Sequence, residues 1–163
     1  MTDPAKPTPL TPLLADDLRA AGVPEPWNYG MADRVRFHEI DALNHVNNAV
    51  CFSWFENLRV HYLRDYGIYR YTPEDPMLVM RAVGASYNAP LFLGQDYILT
   101  ARTRSFGRTS FVMDYGAFCD GAFAIEGHAV IVLVEQDGRT GYPLTDEMRA
   151  IMASRDGATL RQA

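Results

Sequence analysis

From Asp33 to Ile40, in DRVRFHEI, Val35 and Phe37 fall on one side of an alternation and Arg34, Arg36 and His38 on the other. A period of two predicts a half-buried first strand. Near Asn47 the period changes: Cys51, Trp54, Phe55, Leu58 and Tyr62 recur at helical spacing, with Ser53, Glu56, Asn57, His61 and Arg64 opposite them. Val50, Phe52, Val60 and Leu63 widen the apolar stripe. The helix predicted over 47–66 is therefore buried over most of its circumference, and Gly67 stops it. After a loop containing Pro73 and Pro76, strands are predicted over 77–87, 96–106, 110–118 and 122–136, with a short helix at 145–153. The break between the last two strands contains Asp120-Gly121, the signature of a two-residue hairpin turn.

One long apolar helix followed by four antiparallel strands, with no second helix between them, has one economical packing. The sheet curls around the helix, giving an α+β domain. A single curved sheet leaves edges open, so association into a homodimer or homotetramer is expected. Residues 1–30 differ in character, because Pro4, Pro7, Pro9, Pro12, Pro24 and Pro26 leave only LLADDLRAAG as a candidate helix. They read as a proline-rich arm that packs on the domain or on a partner, with the domain itself spanning 31–163.

Composition narrows the class. The chain has 163 residues, 48% of them hydrophobic and 21% charged, which suits one globular domain. Its net charge of -5 argues against a general affinity for nucleic acid or anionic membranes. Cys51 and Cys119 are too few for a disulfide framework and are read as thiols, and no Cys/His spacing suggests zinc. Without a secretory-type start or a long apolar run, a cytoplasmic location without membrane insertion is the expectation.

Chemistry concentrates in EIDALNHVNNAVCFSWFE, residues 39–56. Asn44 and Asn47 suit the free N–H groups at a helix start, but capping accounts for one or two asparagines and leaves Asp41 and His45 unexplained. Free N–H groups and the positive end of the helix dipole can stabilise a carbonyl oxygen that becomes negative, while a neighbouring carboxylate attacks the carbon or activates water.

That segment, with FGRTSF and AVIVLVEQDGRTGYPLTDEMR later in the chain, resembles the hotdog-fold acyl-CoA thioesterases of the 4-hydroxybenzoyl-CoA thioesterase type over about residues 32–153. The resemblance implies a hotdog fold, an acyl-CoA substrate and an active site between subunits. It makes Asp41 the nucleophile or general base and the Asn48 backbone N–H, seven residues on, the oxyanion donor. His45 joins them as a catalytic candidate and Asn47 as a substrate-binding one, and Arg108, Thr109 and Ser110 are expected to hold coenzyme A phosphates. No metal or redox cofactor is implied, since coenzyme A enters as part of the substrate. Two departures stand out: Asn44 where many members have glycine, and Cys51 where many have tyrosine.

Other readings stay open at this point. His45 is either catalytic or a loop hydrogen-bonding group. Glu56 lies about where another hotdog branch carries its catalytic carboxylate, but a solvated glutamate or one paired with Arg59 is the preferred account. Cys51 falls on the apolar stripe and reads as core, and His128 alternates within a strand. Arg102 and Arg104 either extend the cationic strip or keep a strand edge soluble. An enoyl-thioester hydratase or dehydratase and a non-catalytic acyl-CoA binding module are the alternative functions.

Overall fold

The computed structural model describes residues 7–161. Seven strands form one sheet: β1 (Pro12–Leu14), β2 (Tyr29–Arg34), β3 (Met77–Tyr87), β4 (Asp96–Phe106), β5 (Ser110–Cys119), β6 (Ala122–Val134) and β7 (Thr159–Leu160). The order is β1-β2-β4-β5-β6-β3, antiparallel throughout, while β7 adds a short parallel ladder to the end of β4. Three helices accompany them: α1 (Ala15–Ala20), α2 (Val50–Asp65) and α3 (Asp146–Asp156).

The long strands form where the alternation predicts, and the β5–β6 connection is the expected two-residue turn. Asp120 and Gly121 both have positive φ, 51° and 75°, and Cys119 pairs with Ala122 across them. This twist suits tight hairpins, and the Asp-Gly pair tolerates it. Helix α2 packs on one face of the sheet, burying Cys51, Trp54, Phe55, Leu58, Tyr62 and Leu63 against inward-facing side chains such as Leu99, Met113 and Ile131.

The first strand differs from its prediction. The pairing segment is Tyr29–Arg34, and Phe37–Glu39 is a single 3₁₀ turn. Phe37, which the alternation placed inside, is 82% exposed. The true strand was masked by Gly30, which normally weakens one. Here the glycine is required, since a Cβ would collide with the Leu99 carbonyl oxygen on β4.

The proline-rich segment carries structure of its own, although residues 1–6, with Pro4, lie outside the described part. β1 pairs with β2, placing Leu13 opposite Gly30. Leu13, Leu18, Val23 and Trp27 then join Ala32 and Phe118 in a second, smaller core. Trp27 meets the stacked rings of Phe118 and Phe123 edge-on. Burying each such side chain contributes about 1.5–3 kcal/mol, so this part of the arm is integral to the domain.

At the C-terminal end of α2, α3 docks through a buried polar knot. The Asp156 carboxylate accepts hydrogen bonds from the Tyr62 and Tyr66 hydroxyls and, at 2.7 Å, from the Thr103 N–H. Nearby the Tyr29 hydroxyl donates to Asp65 at 2.6 Å. Burial holds the Asp156 carboxyl above its ordinary pKa, outweighing the bonds from Tyr62 and Thr103 that pull it down.

Candidate active site

The loop before α2 is closed on itself. A bridge joins Ile40 to Val46, the Asp41 N–H donates to the His45 carbonyl at 3.0 Å, and the Asn47 N–H donates to the Glu39 carbonyl at 2.8 Å. Val46 also donates to the Leu91 carbonyl at 2.8 Å, pinning the loop to the β3–β4 connection. The chain reverses at Asn44, whose φ is 63°. Left-handed backbone favours glycine, and asparagine is among the few other residues that tolerate it. The departure at Asn44 therefore preserves the loop's shape.

Within the loop, Asp41 Oδ1 accepts the Leu43 N–H at 2.8 Å. Its Oδ2 lies 3.7 Å from His45 Nδ1, beyond hydrogen-bond reach, with Asp41 22% exposed. His45 Nδ1 is instead 3.2 Å from the Val46 carbonyl, which favours a role in the loop. The carboxylate is thus oriented by the backbone through one oxygen, while the other accepts no hydrogen bond among the described residues.

Helix α2 begins three residues later than predicted, because Asn47 organises the turn before it. Its Oδ1 accepts the Ala49 N–H and its carbonyl the Val50 N–H, both at 2.9 Å. The side chain of Asn47 is engaged in this capping. Asn48 is exposed, and among the described residues its backbone N–H has no hydrogen-bond partner. That donor stands at the positive end of a helix of 16 residues, where partial charge from the peptide dipoles collects. Its carbonyl is fixed: Tyr87 Oη donates to it at 2.5 Å and Cys51 Sγ approaches to 3.1 Å. Tyr87, at the end of β3, is a positioning contact that sequence reasoning left unassigned, since nothing local to a strand end signals it.

Glu39 is the other support unseen in the sequence. Although buried, its carboxylate accepts Trp54 Nε1–H at 2.8 Å and the Arg36 N–H at 2.7 Å. One side chain thereby ties the loop's entry to the second turn of α2. Cys51 is fully buried, and burial raises its thiol pKa, so it belongs to the core rather than to nucleophilic chemistry.

Arg108, Thr109 and Ser110 lie elsewhere. They form the tight β4–β5 turn, closed by Gly107 N–H donating to the Ser110 carbonyl at 2.7 Å. Tyr87, beside Asn48, pairs with Ile125, which pairs with Ala117 on β5. Ser110 is seven residues back along that strand, roughly 23 Å at the usual strand rise. Within one chain the turn and the Asp41 loop occupy opposite ends of the sheet. Arg108 is exposed, while Ser110 Oγ accepts from Arg161 at 2.6 Å, bringing a second cation to the turn.

The remaining candidates resolve simply. Glu56 is exposed and 3.6 Å from Arg59, which itself is buried and donates to the Tyr115 hydroxyl. Arg102 and Arg104 lie on an interior strand and both pair with Asp114, at 3.2 and 3.5 Å, so neither extends a free cationic strip nor guards an edge. His128 stands on the outer face of β6 over Gly84. Among the described residues, no cluster of three or more His, Cys, Asp or Glu could hold a metal ion.

Residues 35–152 match the thioesterase-like superfamily. The chain belongs to that superfamily. The whole domain superposes on a thioesterase-superfamily structure from Jannaschia sp. CCS1 with a TM-score of 0.90 and 39% identity, covering 94% of this chain and 98% of that one. A thioesterase from Thermus thermophilus, solved with coenzyme A and Zn, is 28% identical, with a TM-score of 0.69 over 82% of this chain and 98% of that one. An uncharacterised Bacillus subtilis protein, YsmA, is 25% identical over 69% of this chain and 77% of its own length. The antiparallel sheet with its packed central helix is the hotdog fold expected from the sequence. No helix of the described residues is long and apolar enough to cross a membrane.

Proposed function

We propose that this protein is an acyl-CoA thioesterase, releasing a free acid and coenzyme A, with Asp41 as nucleophile or general base in the manner of the 4-hydroxybenzoyl-CoA thioesterase type. The observation that carries the reading is the Asn48 N–H at the head of α2, which has no hydrogen-bond partner among the described residues, in the same closed loop as an Asp41 oxygen that accepts no hydrogen bond from them. A thioester carbonyl accepting that N–H develops its negative charge where the helix dipole favours it, and removing one such donor typically costs about two to three orders of magnitude in rate. His45 steadies the loop. The coenzyme A complex of the Thermus relative supports the substrate class.

The separation of the Arg108 turn from the loop supports an assembly in which two copies build each site. The edge strand β3 has 11 residues, unpaired along one side among the described residues, and exposes Val83 and Tyr87 on its helix-facing side. Long unprotected edges recruit further strands, and a second copy adding its own β3 would complete a homodimer. Arg108, with Arg161 beside it, then holds phosphates of a coenzyme A bound by another subunit, guanidinium groups being suited to bidentate phosphate contacts. The chain acts in the cytoplasm.

The experiment is thiol release from short, medium, long and aromatic acyl-CoAs, comparing the parent with Asp41→Asn. Turnover that falls at least about a hundredfold in the variant is expected. Loss or gain of a conjugated double bond without thiol release would mean a hydratase instead, and binding without either reaction a non-catalytic module.

A further inference from the structure

Between α2 and strands β3 and β6 lies a cleft of about 320 Å³, at the small end of ligand pockets, that none of the roles above uses. Phe52 and Phe55 line it from the helix and Leu78, Met80 and Val83 from β3, so most of its wall is apolar. A guanidinium stands in that wall. Arg59, 8% exposed, donates through Nη1 to the Tyr115 hydroxyl at 3.2 Å, and among the described residues its side chain makes no other hydrogen bond. Its Nη2 lies 3.6 Å from Glu56 Oε1, an ion pair too long for a hydrogen bond, and the Glu56 side chain is 67% exposed. A guanidinium carries five N–H donors and is costly to bury unless they are matched.

Nε and Nη2, an edge of the guanidinium that can grip a carboxylate with two parallel bonds, are the atoms left over. Neither is shut away: the buried side-chain nitrogens and oxygens that lack a partner among the described residues are Tyr97 Oη, Arg102 Nε and Arg149 Nε. The unbonded edge of Arg59 therefore meets solvent where Arg59 lines the cleft. Elsewhere in the chain the same two atoms of Arg34 hold Asp96, Nε to Oδ1 at 2.6 Å and Nη2 to Oδ2 at 3.2 Å, which is the contact missing at Arg59. Arg59 is the one permanently charged cation lining the cleft, and a single positive charge among apolar walls matches a carboxylate better than a phosphate dianion.

We infer that this cleft is a binding site for a small organic carboxylate with an apolar tail. The carboxylate takes the Nε and Nη2 edge of Arg59, displacing Glu56, and the tail lies against Phe52, Phe55 and Met80. Arg59 is eleven residues beyond Asn48, roughly 16 Å at the helical rise, so the site is separate from the proposed oxyanion donor. Free acids are the class of compound that the proposed reaction releases, but the existence of the site does not rest on that reading. Hexanoate and 1-hexanol, alike in their tails and differing in charge, probe it. In NMR titrations of the whole protein, hexanoate is expected to shift the Arg59 Nε–H and Met80 methyl signals saturably. 1-Hexanol should bind at least about tenfold more weakly, the size of a hydrogen bond to a charged group.

Arg59→Met fills similar space without charge, a kind of replacement that buried ionic sites often tolerate, and it should bind the two probes equally. Glu56→Gln, at an exposed position, removes the competing carboxylate and should tighten hexanoate binding severalfold. No saturable shift with hexanoate overturns the inference, and a second copy of the chain seated in the cleft would give that result. Equal binding of the two probes by the parent, a preference that survives Arg59→Met, or weaker hexanoate binding in Glu56→Gln overturns it as well. If Arg59→Met does not fold, the parent comparison and Glu56→Gln still decide. Because the readout is binding at Arg59, a protein that passes this test yet releases no thiol from any acyl-CoA keeps the site and loses the thioesterase reading. One that hydrolyses acyl-CoAs but fails it loses only the site.

Discussion

The two ends of α2 are both crowded with polar side chains, and they use them in opposite ways. At the C-terminal end Asp156 is 6% exposed, and Tyr62, Tyr66 and Thr103 all donate to it. At the N-terminal end, among the described residues, the Asn48 N–H has no partner and Asp41 Oδ2 accepts no hydrogen bond, His45 Nδ1 lying 3.7 Å from it. Matched groups in a buried setting lock α3 onto the domain; unmatched groups at a helix head are the ones the proposed function draws on. Polarity alone distinguishes neither, whereas the number of partners does.

The largest effect on stability should come from breaking the matched end. Asp156→Ala strands the Tyr62 hydroxyl and the Thr103 N–H and should destabilise the fold by about 3 kcal/mol, read from urea unfolding midpoints. Turnover per folded molecule should stay near the parent's. Glu39→Ala sharpens the contrast, because Glu39 sits near the proposed reactive end yet is fully matched. It should cost about 2 kcal/mol through the unpaired Trp54 and Arg36 N–H groups, so a loss confined to activity would show that partner counting misjudged it.

The matched end also carries a pH signature. The Asp156 carboxyl has a folded pKa above its unfolded one, so its contribution is fully present below the unfolded value and is lost as pH rises through the folded value. Relative to Asp156→Asn, the parent should therefore gain stability as pH is lowered from neutral into the carboxylate range. Parallel unfolding series at several pH values check this, and a relative loss on acidification would reverse the assignment. The smallest effect is expected at Asn44→Gly, which relieves left-handed strain and should change stability by no more than about 1 kcal/mol while leaving turnover within a few-fold.

How much of this was legible in the sequence follows the range of the interactions. Strands 77–87 and 96–106 and the Asp120-Gly121 turn are set by alternation and turn chemistry within a few residues, and they stand where the pattern put them. The β2 strand did not, because Gly30 reads as a breaker until the Leu99 carbonyl across the ladder is known. Asp41 was marked by its place before an apolar helix, and Asn48 only by the resemblance to hotdog thioesterases. Tyr87, Tyr97 and Asp156 carry no local mark, since their partners, or the lack of them, are decided by segments far along the chain. The Arg108 turn was recognised as a motif, but only the register reveals that it sits at the far end of the sheet.

The most direct test measures two quantities on one variant: acyl-CoA turnover and unfolding free energy for Asp41→Asn beside the parent. If the unmatched end serves chemistry, turnover falls at least about a hundredfold while stability stays within about 1 kcal/mol, since the Leu43 N–H can still be accepted by the amide oxygen. Unchanged turnover, or stability that collapses together with activity, would contradict the account.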